Sequence, residues 1–68
     1  MRVGILSNLG GDRLGAIIEE DDGTLRGDGK GESLVEQAPL KTFDDWMSTV
    51  HHSTYLRLVE GTEADLEG

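Results

Sequence analysis

TFDDWMSTVHHSTYLRLVEG, residues 42–61, holds all three aromatic residues of the chain (Phe43, Trp46 and Tyr55), both histidines and one of its two methionines. Most of the large anchoring side chains of a small domain therefore sit in this one stretch. Its period changes partway. Phe43, Trp46, Met47 and Val50 follow the i, i+3, i+4, i+7 spacing of one helix face. After His52 the residues turn β-branched, aromatic and leucine-rich (Thr54, Tyr55, Leu56, Leu58, Val59), which suits a strand. Thr42 is the expected N-cap, and Asp44 and Asp45 fall in the first turn, where the helix dipole favours anions. The histidines fall at the last turn. A strand over Thr54–Glu60 follows, and Gly61 stops it.

Working back from there, Met1–Ser7 reads as a first strand and SNLGGDR, residues 7–13, as a turn. Leu14–Glu20 is a second strand, apolar on both sides, with Leu14, Ala16 and Ile18 facing one way and Ile17 the other. That two-sided character suits a central strand. Asp22-Gly23 signals a hairpin with a type I′ turn, followed by a short edge strand over Thr24–Gly27. Gly27-Asp28-Gly29-Lys30-Gly31 reads as a mobile loop. Ser33 and Glu36 fit a capping box for a one- or two-turn helix carrying Leu34, Val35 and Ala38, which Pro39 ends. Residues 1–61 thus make a single α+β domain: a small antiparallel or mixed sheet in βββααβ order, with two short helices on one face. Thr62–Gly68 is an acidic flexible tail. The uncovered sheet face is expected to carry Leu6 and Ile17, with Tyr55 or Val59, and a second copy is the expected cover, making a homodimer.

Charge is the clearest global signal. Fourteen acidic residues against two lysines and four arginines leave a net charge of -8 on 68 residues. In molar salt, a Debye length of about 3 Å removes most of that repulsion. By this acid excess and lysine scarcity the chain resembles small acidic proteins of haloarchaea, a resemblance of composition that spans the whole chain and implies adaptation to high salt. Leu, Ile, Val and Phe supply 17 of 68 residues, above the roughly one-fifth below which disorder is the default. With no cysteine, neither a disulfide nor a thiolate metal site supplements the core. The longest apolar run is Ala16-Ile17-Ile18, far short of a membrane span, so a soluble, cytoplasmic protein is expected.

No motif fixes a chemistry. Asp44 and His51 share a helix face, as do Asp45 and His52, but seven residues span about 10 Å, too far for one metal ion. Ser48, Ser53 and Thr54 near His52 lack a nucleophile-elbow pattern. Gly27–Ser33 lacks GxxxxGK[ST] because Gly31 follows Lys30, and GxGxxG fails at Glu32. A calcium loop over Asp21–Glu32 fails because Gly23 and Leu25 occupy ligand positions and Arg26 the glycine position. We therefore expect no enzyme, no metal and no cofactor, but a protein-interaction or assembly module. The candidate binding residues are Trp46, Tyr55, Arg57, Arg26 and Arg2. If the three arginines converge beside Tyr55 on one sheet face, a nucleic-acid or nucleotide partner becomes the alternative. The simpler reading pairs them across strands with Glu19, Glu20 and Glu60.

Overall fold

A computed structural model of the chain describes residues 1–66 and shows an α+β fold. Strands β1 (Arg2–Asn8), β2 (Arg13–Glu19) and β3 (Leu25–Gly29) are followed by helices α1 (Lys30–Gln37) and α2 (Phe43–His51), strand β4 (Leu56–Gly61) and a 3-10 turn (Glu63–Leu66). The sheet is antiparallel throughout, in the order β3-β2-β1-β4. β4 therefore lies beside β1, at the edge away from β3.

Both hairpins use one device. In the first, Asn8 N–H donates to the Asp12 carbonyl and Gly11 N–H to the Asn8 carbonyl; in the second, Glu20 N–H donates to the Thr24 carbonyl and Gly23 N–H to the Glu20 carbonyl. Each is a three-residue loop closed by one glycine in the left-handed region, Gly11 at φ 92° and Gly23 at φ 90°. The type I′ reading of Asp22-Gly23 is thus corrected. Type I′ needs positive φ at both central residues, and among the described residues no non-glycine has it. Asp22 instead accepts from the Thr24 N–H (3.0 Å) and hydroxyl (2.7 Å).

The front face of the sheet carries the main core. Leu6 and Ile17, both fully buried, pack with Phe43, Trp46 and Val50 of α2, and Leu34 and Val35 of α1 with the following Ala38 close the cluster. This overturns the expectation that Leu6 and Ile17 lie on a bare face: they lie under the helices. The physical reason is room. Gly4 and Gly15 stand on the same face of β1 and β2, and a side chain at Gly4 would meet Leu58 and the Phe43 ring.

Glycine also corrects the reading of residues 27–31 as a mobile loop. β3 runs to Gly29 and α1 begins at Lys30 with no intervening loop. Gly31 is buried against the main chain of Ala16, and the half-buried Gly27 stands close to that of Gly31 and Glu32. These glycines let a helix backbone lie directly on two strands. The expected Ser33–Glu36 capping box does not form, because Ser33 lies inside the helix, where its Oγ accepts from Gln37 Nε2 at 3.0 Å.

The second helix forms as its spacing predicts. Thr42 is the N-cap, its Oγ1 accepting from Asp45 N–H (3.1 Å) while the Asp45 carboxylate accepts from Thr42 N–H (3.0 Å). Thr42→Ala is expected to lower stability by about 1 kcal/mol, read in urea melts at neutral pH. The Thr42 N–H, then its hydroxyl, hold the Asp45 carboxyl below the usual carboxylate range. A carboxyl depressed in the folded state stabilises above its unfolded pKa, and that contribution is lost as pH falls through the folded value. Asp45→Asn should therefore flatten the fall in stability below about pH 4.

The back face carries charged residues and the chain's last described turn. Val3, Ala16 and Ile18 are buried here. Arg26 stands opposite Ile18 and Asp28 opposite Ala16, and these charged residues are tied by ion pairs Arg26–Glu20 and Arg13–Asp28 (3.1 Å). Thr62–Gly68, read as a flexible tail, contains the 3-10 turn, which packs against β1; residues 67–68 lie outside the described residues.

Candidate interaction surface

β4 is hydrogen-bonded on one side only, to β1. Its sequence LRLVEG has the Leu and Val content of a strand, and it contains no proline and no bulge, its charged residues being Arg57 and Glu60. The Ser53 hydroxyl sets the chain's entry, accepting from the Tyr55 N–H (3.2 Å) and the Leu56 N–H (3.0 Å). Three of the large hydrophobics that remain exposed lie around this strand: Leu9 at 56%, Tyr55 at 68% and Val59 at 53%. Leu9 arrives there because the first hairpin ends at Asn8, which pairs with Leu56.

A shallow cleft of about 220 Å³ opens where α2 hands over to β4, lined by Leu9, Val50, His51, Ser53, Arg57 and the leucines of the strand. It is smaller than the roughly 300 Å³ at which small-molecule sites begin. His51 and His52 are both exposed, their rings edge-to-face with centroids 5.3 Å apart. Among the described residues no group of three His, Cys, Asp or Glu side chains could hold a metal ion. No helix among them is long and apolar enough to cross a membrane.

The five residues singled out from the sequence do not come together. Trp46 is a core residue, 7% exposed, with Lys41 Nζ 4.6 Å from its ring centroid; its buried Nε1 meets no acceptor among the described residues. Arg2 is on the front face. Its guanidinium lies 4.4 Å from the Phe43 ring centroid and bonds Asp44 and Glu60, each at 3.1 Å, tying β1 to α2 and β4. Arg26 is on the back face of β3 and pairs with Glu20. Arg57 is on the back face of β4, at the opposite edge, three strand spacings (about 14 Å) across the sheet and four residues (about 13 Å) along it from Arg26. Arg2 pairs with Glu60 and Arg26 with Glu20, and the three arginines do not share one sheet face. Only Tyr55 and Arg57 belong to the β4 surface, and Arg57 makes no ion pair among the described residues.

Two members of this surface escaped the sequence reading. Leu9 sits among turn residues and carries no strand signal of its own. Asp65 lies in the stretch read as a tail, yet its carboxylate stands over the back of Gly61, held by the Thr62 N–H at 2.7 Å. Compared with known proteins, the chain matches no family model, no curated protein and no solved structure.

Proposed function

We propose that this chain is a non-enzymatic interaction module of a salt-adapted cytoplasm, working as a homodimer or as the docking subunit of a larger assembly. The observation that carries the reading is the open β4 edge, a six-residue strand paired among the described residues with β1 alone and rimmed by exposed Leu9, Tyr55 and Val59. Such an edge is a template for another strand. The acidic residues support the salt adaptation, since Asp12, Asp21, Asp22, Glu32, Glu36 and Glu63 are all exposed and repel one another in dilute buffer.

One salt series tests both parts. Light scattering at micromolar concentration in 2 M KCl is expected to give twice the 7.4 kDa chain mass, and 7.4 kDa would remove the dimer. The melting temperature is expected to climb steeply from 0.1 to 2 M KCl; a flat response would remove the halophilic reading.

A further inference from the structure

We infer that a second copy of this chain docks on β4 strand to strand, antiparallel, about a two-fold axis passing through Val59, giving a continuous eight-stranded sheet. The inference rests on the self-association proposed above and specifies how it is built.

The choice of edge follows from what each strand offers. The β3 edge reads LRGDG, with Arg26 and Asp28 already engaged in ion pairs and α1 folding back from its end. On β4 only Glu60 is engaged, with Arg2; Arg57 makes no ion pair among the described residues, and only a short 3-10 turn follows the strand. A two-fold perpendicular to a sheet keeps front residues in front and back residues behind, so opposed residues must share a face. The axis must then pass through a residue of β4 that faces its own copy.

Charge selects which one. An axis through Arg57 opposes two guanidinium groups, and one through Glu60 opposes two carboxylates. An axis through Leu58 sets Arg57 against Val59 of the partner subunit and leaves the cation without a counter-charge. An axis through Val59 pairs the two exposed valines and sets Arg57 against Gly61 of the partner subunit. That glycine has no side chain to obstruct the approach, and the Asp65 carboxylate stands over it. Arg57, without an ion pair among the described residues, thus meets Asp65 of the partner subunit, twice by symmetry. The contact joins opposite charges between two chains that each carry -8.

The absence of cysteine makes single-cysteine cross-linking of the full chain a direct test. Directly opposed Cβ atoms lie about 4.5–5.5 Å apart, within reach of a disulfide after small adjustment. In 2 M KCl under mild oxidation, Val59→Cys is expected to form a covalent dimer, and Arg57→Cys, displaced two residues from the axis, is not. Efficient cross-linking of an equimolar Arg57→Cys and Val59→Cys mixture, with Val59→Cys alone inert, would overturn the register while leaving self-association standing. A monomeric wild-type mass would overturn self-association itself. As a second readout, Arg57→Asp is expected to weaken dimerisation about tenfold, and Arg57→Asp with Asp65→Arg to restore it. An Arg57→Asp dimer as tight as the wild type would overturn the ion pair.

Discussion

Gly31→Ala is expected to unfold most of the chain at 25 °C. A methyl group at this position would overlap the carbonyl carbon and oxygen of Ala16. That obstacle is the main chain of the central strand β2, so no rotamer change relieves it. The helix would have to lift from the sheet, withdrawing Leu34, Val35 and Ala38 from the core. Overpacking of this kind costs about 3 kcal/mol, comparable with the roughly 3–5 kcal/mol that a core of this size supplies in total. Gly23→Ala is the matching control: the position is open, and only the left-handed backbone opposes the change, at about 1–2 kcal/mol. Circular dichroism melts of the two variants should differ sharply. If Gly31→Ala melts with the wild type, the direct seating of α1 on β2 is wrong.

Phe43→Ala is expected to be equally severe for a different reason. Phe43 is 1% exposed and sits at the first turn of α2, beneath Arg2 and against Gly4 of β1. Truncating a buried phenylalanine costs about 3–5 kcal/mol through lost burial and the cavity left behind. The Arg2 cation also loses the ring it covers, a smaller term. Urea unfolding should show no native baseline at 25 °C. Phe43→Leu, which keeps most of the volume, should retain a cooperative transition. If Phe43→Ala stays folded, α2 is not the lid of this core.

The order of the elements was readable because each carries its signal locally. Thr42 with Asp45 caps α2, the spacing of Phe43, Trp46 and Val50 marks its buried side, and glycine-bearing turns separate β1, β2 and β3. Which sheet face meets the helices was not readable from hydrophobicity, since Val3, Ile5, Ala16 and Ile18 make the more apolar row. Glycine decides it instead. Gly4, Gly15 and Gly27 stand on the side where backbone or an aromatic ring approaches closely, so the side poorer in side chains receives the helices. In a linear reading the same glycines between residues 27 and 31 look like slack. Their meaning depends on Ala16, fifteen positions before Gly31, coming into contact.

The surface was legible only in part. Tyr55 and Arg57 were singled out and do belong to the β4 surface, whereas Trp46, the largest anchor available, was drawn inward to fill the space beside Val50. Arg2 and Arg26 were absorbed by carboxylates that β pairing brings near. Whether a strand ends up at an edge is a property of topology, and no residue of LRLVEG announces it.

The position of β4 has a kinetic corollary. β1 finds β2 across a loop of a few residues, but it finds β4 only by joining Asn8 to Leu56. Closing the longer segment costs roughly 2 kcal/mol more in chain entropy. The meander of β1, β2 and β3 can assemble from nearest neighbours, while annealing of β4 waits for α1 and α2 to shorten the path. On topology the slowest step is expected to be that last zippering, and until it is complete the outer side of β1, not of β4, is the open one.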